Sequence, residues 1–264
     1  MSSKIISLTV AGLIGLQSAA MAQDRTAGIG DEQIRIAKEN VRALKAEIQS
    51  LDKALGDAQV AIEKRESRGT FANGTAVTGA AIGLGLSAIA ALTIKKGTGG
   101  QALNGYLTGA LSAVISLSSA GLGLIGQARK TDVDTKSLEE QLKLAETQVQ
   151  SAISVADKQT SAVLKQLNSS LTTVRQSLNE YTISEDSISQ NKLFSQIAQA
   201  SGVAITVYGM TQRESKALLV GPLVMSAGNL GQVLGGLSDS DAEKVIAEIK
   251  ATRLSLMAAA VNLE

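Results

Sequence analysis

The sequence predicts an all-α protein. Long antiparallel coiled-coil arms carry a glycine-rich apolar helical hairpin, followed by a second apolar helix pair and a C-terminal amphipathic helix. Three observations predict this. Two apolar runs, Gly74–Ile94 and Ala102–Gly126, contain no charged residue and are split only by Lys95-Lys96-Gly97-Thr98-Gly99-Gly100-Gln101. Apolar residues at heptad spacing lie on both sides of these runs. The 264 residues include 2% aromatics, one proline and no cysteine, histidine or tryptophan, a composition that suits helix packing rather than a sandwich or a disulfide scaffold. A chain of this length forms one or two domains.

Residues 1–22 read as a bacterial secretory signal peptide. Met1–Lys4 is basic, Ile5–Leu16 is apolar, and Ala20-Met21-Ala22 is a small-x-small cleavage site. No cysteine follows, so the sequence predicts no lipid-modified N-terminus. Removing Lys4 from a chain of formal charge +1 leaves it neutral, with no global pull toward nucleic acid or acidic substrates. Residues 23–30 are polar and glycine-containing, an expected mobile start.

Residues 31–70 form the first arm. Ile34, Val41, Ile48, Leu55 and Ile62 are seven apart, and Ala37, Leu44, Leu51 and Ala58 follow three residues after the first four. This is an a/d seam with a solvated charged face, on a helix on the order of 55 Å long.

Residues 71–128 are the expected membrane hairpin. Each run is long enough to cross a hydrocarbon layer of about 30 Å at about 1.5 Å per residue. Gly79, Gly83, Ser87 and Ala91 put a small residue at every fourth position of the first run. Gly105, Gly109, Ala113 and Gly121 do the same in the second, interrupted at Leu117. Such stripes let two helix backbones approach closely and are the expected packing and oligomer contacts. Each glycine costs about 1 kcal/mol of helix propensity against alanine, which packing must offset. Ile82, Leu84, Leu86, Ile89, Leu92, Leu107, Leu111, Val114 and Ile115 are the expected lipid-facing residues. Arg65, Arg68, Lys95, Lys96, Arg129 and Lys130 flank the runs and are placed for lipid headgroups. The alternative is that both runs are the buried core of a water-soluble helical bundle. Their many small residues lower the hydrophobicity enough for export through a translocon.

Residues 129–183 are the second arm, expected as one helix over Thr131–Tyr181, on the order of 75 Å long. Its two apolar sets, Leu142 to Ala156 and Leu164 to Tyr181, are out of phase and predict a stutter near Asp157–Val163. This arm is the natural antiparallel partner of the first. Thr182–Asn191 reads as a turn.

Residues 192–237 hold the second apolar pair. Gly221, Gly228 and Gly235 lie at heptad spacing, and Pro222 marks a first turn or a kink. These segments are expected to pack against a neighbour rather than to span. Residues 238–264 are a capped amphipathic helix, with Ser240 and Glu243 in capping-box spacing. Its seam of Ile246, Ile249, Leu256, Ala260 and Leu263 is interrupted by Arg253.

No catalytic chemistry is expected. Without His or Cys only scattered carboxylates could hold a metal, and no nucleophile has a base beside it. Gly83-Leu84-Gly85 lies inside an apolar run, not at a strand-to-helix turn. Nucleic-acid binding lacks basic excess and stacking aromatics. No small-molecule substrate and no cofactor other than bound lipid is implied.

The order of elements resembles two known groups. Gly74–Gly126 held between two long helices resembles the apolar tongue of helical pore-forming toxins of the cytolysin A type, which insert it on oligomerisation. The exported chain, the glycine-dense helices and the second apolar pair more closely resemble the helical, porin-like, lipid-trapping envelope oligomers of predatory bacteria. That second resemblance implies an exported homo-oligomer of the bacterial outer membrane that inserts in, or encloses, lipid. The alternatives are a pore-forming toxin whose hairpin is folded away until it inserts, and a periplasmic coiled-coil scaffold. The periplasm and the secreted medium are the alternative destinations.

Overall fold

A computed structural model describes residues 29–64, 67–93, 102–127, 135–184, 186–212, 215–236 and 241–262. Among the described residues there are eight α-helices and no strand: α1 Ile29–Glu63, α2 Ser67–Thr93, α3 Ala102–Gln127, α4 Lys136–Val155, α5 Lys158–Ser184, α6 Ser187–Gln212, α7 Ser215–Gly235 and α8 Ala242–Asn262. The signal-peptide segment, most of the expected mobile start and the Lys95–Gln101 link lie outside the described residues.

Successive helices run antiparallel. The apolar helices α2, α3, α6 and α7 form a central apolar layer two helices deep; α1 and α8 pack on α2 and α7, and α4 and α5 pack on α3 and α6. The outer helices are amphipathic with a period of 3.5, and the buried seams follow it. Leu44, Ile48, Leu51, Leu55, Ala58 and Ile62 are buried on α1. Leu138, Leu142, Ala145, Val149 and Ala152 are buried on α4, and Leu164, Leu167, Leu171, Val174, Leu178 and Tyr181 on α5. A helix with one apolar stripe must cover it with another element, and here each stripe lies on the apolar layer.

The second arm is not one helix. The chain reverses at Ala156 and Asp157, so α4 and α5 are an antiparallel pair. Ala156 is extended, with φ −79° and ψ 149°. Asp157 then caps α5: its Oδ1 accepts from the Gln159 and Thr160 N–H groups, each at 2.9 Å, and its Oδ2 accepts from the Thr160 hydroxyl at 2.9 Å. The out-of-phase apolar sets belong to two helices, not to two halves of one. Gln150 donates to Asn168 across the pair at 2.9 Å, and Arg175 forks onto Glu146 through Nε at 2.9 Å and through Nη2.

The arms also do not pair with each other. α1 packs on α2 and α8, whereas α4 packs on α3 and α5. The Arg253 that interrupts the α8 seam explains part of this: its guanidinium makes a bidentate pair with Asp52 of α1, at 2.8 and 3.2 Å, and lies over Gly56. The observed α8 seam is Val245, Ile249, Thr252, Leu256 and Ala259, with Ile246 and Ala260 at its edge.

The turn expected over Thr182–Asn191 is shorter. α5 continues to Ser184 and α6 begins at Ser187. Asp186 Oδ1 accepts from the Ser189 N–H at 2.7 Å, and Lys192 pairs with Glu180 at 2.5 Å. Pro222 sits inside α7, past its first turn.

The Asp157 cap sets a pH dependence. The N–H and hydroxyl of Thr160 hold the Asp157 carboxyl below its usual range. Its contribution is therefore full at neutral pH and lost as pH falls through that lowered value. Asp157→Ala is expected to lower the thermal midpoint at neutral pH, with the gap to wild type closing in acid; melts across a pH series check this.

Candidate functional site

The apolar layer is the part of the molecule that stands apart chemically. Within it, α6 and α7 approach most closely. A Cβ placed on Gly202 would lie 2.7 Å from the Gly221 carbonyl and 2.8 Å from the Met225 amide nitrogen. A Cβ on Gly221 would lie 2.8 Å from the Gly202 carbonyl. On Gly209 it would be 2.9 Å from the Leu218 amide, and on Gly228 3.1 Å from the Ser195 carbonyl. α2 meets α7 in the same way, with a Gly74 Cβ position 2.9 Å from the Gly231 carbonyl. Only glycine permits backbone contact of this kind.

Hydroxyl pairs cross the layer beside these glycines. Thr78 Oγ1 donates to the Gly74 carbonyl at 2.9 Å and therefore accepts from Ser195 Oγ, 3.2 Å away. Ser118 and Ser201 Oγ atoms are 2.6 Å apart, and each also reaches the carbonyl one turn earlier on its own helix, Val114 and Ile197, at 2.8 Å. All four hydroxyl residues are buried. Asn191 at the start of α6 donates to the Gly231 carbonyl of α7 at 2.8 Å. Ser226 and Thr252 join α7 to α8 at 3.0 Å.

Among the described residues, Leu107–Ile125 of α3 and Ser215–Gly235 of α7 are long and apolar enough to cross a membrane by length and composition, with mean hydropathy 1.6 and 1.5. In the bundle these stretches are 44% and 56% buried.

The residues expected to face lipid face the chain itself. Ile82, Leu84, Leu86, Leu107, Leu111, Val114 and Ile115 are buried in the bundle core. The four amphipathic helices supply their apolar cover in the bundle. The side chains of Ile89 and Leu92 lie outside the described ones, as do those of Ala91, Gly105, Arg65, Arg68, Lys95, Lys96, Arg129 and Lys130.

The expected small-residue contacts are also made within one chain. Gly79 faces Ile125 of α3 at 3.8 Å, and Gly121 faces Ile197 of α6 at 3.1 Å. Gly83 is covered by Glu47 of α1 at 2.9 Å, and Gly109 by Gln148 of α4 at 2.7 Å. Ser87 and Ala113 are buried. Gly221 and Gly228 meet α6, and Gly235 meets Asn191. So α2 and α3 touch, but α2 packs more extensively on α7 and α1, and α3 on α4. The closest backbone approaches involve Gly74, Gly202, Gly209 and Gly231, which four-residue stripes did not single out. A better signal was a glycine beside a Ser or Thr within an uncharged run, as at Gly74 and Thr78 or Ser201 and Gly202.

No group of three or more His, Cys, Asp or Glu that could hold a metal occurs among the described residues. No family model matches the chain, and no curated protein or solved structure matches it.

The glycine contacts predict opposite effects at two sites. Gly202→Ala forces a methyl onto the α7 backbone and is expected to cost about 1–3 kcal/mol through overpacking. Gly123 has open space around its Cβ position and is exposed on α3, so Gly123→Ala is expected to stabilise by up to about 1 kcal/mol from helix propensity. Urea unfolding of both variants checks the pair.

Proposed function

We propose that this chain is an exported, membrane-active helical protein that stores apolar helices inside its own bundle. On reaching a bilayer it exchanges that internal packing for lipid and for copies of itself. This is the inserting form of the expected function, and it needs no catalytic group and no cofactor; lipid and further copies of the chain are its partners. The outer envelope of a bacterium is the destination in this reading, given the signal-peptide pattern of residues 1–22.

One observation carries the reading: helices composed to cross a membrane are enclosed by helices composed to face water. α3 and α7 are the described helices long and apolar enough to cross, yet Leu111, Val114, Val224 and Leu234 on them are fully or almost fully covered, as are Ile82 and Leu84 on the uncharged stretch of α2. Four heptad-seamed helices provide the cover. A permanently lipid-embedded ring would leave such residues on its outside, so this packing fits a stored state better than a resident one. One hairpin is too thin to enclose a water path, so a pore or a lipid chamber requires several copies.

The second reading is a scaffold whose apolar helices are only core. The same burial favours it, and the two separate on whether the helices ever leave. The chain has no cysteine, which permits a clean lock. Ser118 and Ser201 hydroxyls lie 2.6 Å apart, so Ser118→Cys with Ser201→Cys ties α3 to α6. Wild type is expected to release dye from anionic liposomes and the oxidised double variant to release none, with leakage restored by reductant. Liposomes that stay sealed and protein-free with wild-type chain at every concentration leave the scaffold as the function.

A further inference from the structure

The side chain that covers Gly83 is a carboxylate, that of Glu47. Glu47 lies on α1, on the side that covers α2, and its Oε2 sits 2.9 Å from where a Gly83 Cβ would be. The carboxylate therefore occupies the space left by a missing side chain. It is half-buried, and no hydrogen bond or ion pair joins it to a described residue. Asp52 and Glu146, by contrast, are each paired with an arginine.

The groups around Glu47 offer no such cation. α2 has no charged residue from Gly74 to Thr93. α8, the other helix packed on α1, commits Arg253 to Asp52, and its Glu243, Lys244, Glu248 and Lys250 are exposed. On α1 the residues one turn away are Ala43, Leu44, Ser50 and Leu51, while Arg42 is exposed and Lys45 half-exposed.

We propose that Glu47 is a protonation latch: neutral, it seats α1 on α2 at Gly83, and ionised, it loosens that seat. The physical reason is the cost of removing a charge from water without a partner, set against the small cost of burying a neutral carboxyl. Burial pushes the Glu47 carboxyl above its ordinary range, in agreement. The sign follows from linkage. The closed state binds the proton more tightly than the open one, so closure is strongest in acid and weakens as pH rises through the raised value. Release of α2 is thus favoured near neutrality, the reverse of an acid-triggered device. The latch rests on the stored-helix reading for its purpose, not for its existence.

The test needs no membrane. Amide hydrogen exchange of α1 and α2 is followed by mass spectrometry at about pH 4 and about pH 7, on either side of the ordinary glutamate value of about 4.3, with intrinsic rates corrected. Wild type is expected to exchange α2 amides several-fold faster at the higher pH. Glu47→Gln, which keeps shape and removes the charge, is expected to show slow exchange at both. Gly83→Ala puts a methyl in the carboxylate's seat, turns the flexible Glu47 side chain toward water, and is expected to abolish the difference between the two pH values. A Glu47→Gln protein with the wild-type pH response overturns the latch, as does wild-type α2 that opens faster in acid. A working latch in a chain that never leaks liposomes removes the membrane function and leaves the latch standing.

Discussion

Two helix backbones can touch only where neither presents a side chain, and Gly202 and Gly221 meet that condition face to face. The geometry leaves no slack: a methyl on either glycine would strike the other helix's carbonyl. Gly209 and Gly228 repeat the contact toward the two ends of the pair, so α6 and α7 are held along their length. This fixes the surface that α2 must match. α2 matches it through Gly74 against Gly231, with Thr78 and Ser195 bonded alongside. The remaining helices then have a defined apolar slab to cover. Dispersion falls off steeply with a small radial gap, so the close approach at the glycines is what gives the slab its cohesion, in place of the aromatic bulk this chain lacks.

The outer layers follow from that slab by ordinary amphipathic logic. α1, α4, α5 and α8 each bury a stripe of aliphatic side chains; α1, α4 and α5 leave mainly polar residues outside, whereas α8 also exposes Leu254, Met257 and Val261. Burying each large aliphatic side chain contributes on the order of 1.5–3 kcal/mol. Register within each outer pair is set by polar contacts as well as by the stripes. Arg253 with Asp52 ties α8 to α1, and Arg175 with Glu146 ties α5 to α4. Both are bidentate and only partly exposed, the geometry in which an ion pair specifies alignment as well as attraction.

Much of this was legible in the sequence, and the failures have physical causes. The α1 seam through Leu44, Ile48, Leu51 and Leu55 could be read from spacing, because a solvated face leaves a period of 3.5. The reversal at Asp157 was visible as a phase break but not as a turn, since no glycine or proline marks it. Its signal was the cap itself, an Asp three residues before Thr160, and that pattern was hidden among many Asp and Ser residues. The partner of each helix could not be read at all. An a/d seam states that a helix has a partner, and α1 could have met the second arm as well as α2. The buried hydroxyls were hardest to see. Thr78 and Ser118 look like small residues in an apolar run until Ser195 and Ser201 are brought opposite them.

Those hydroxyls bear on whether α2 and α3 can leave. A polar group moved from protein to hydrocarbon must keep a hydrogen-bond partner or suffer a large desolvation cost. Thr78 bonds the Gly74 carbonyl and Ser118 reaches the Val114 carbonyl, each one turn back on its own helix. That local bond travels with the helix. Departure from the bundle therefore breaks the cross-helix contacts to Ser195 and Ser201 but leaves neither Thr78 nor Ser118 without an acceptor. The same holds for the glycines, which carry no polar side chain. Asn191, by contrast, spends its amide on the Gly231 carbonyl of another helix, and hydrocarbon would leave it unsatisfied. Thr78 and Ser118 thus tolerate both surroundings, whereas Asn191 favours keeping α6 packed on α7.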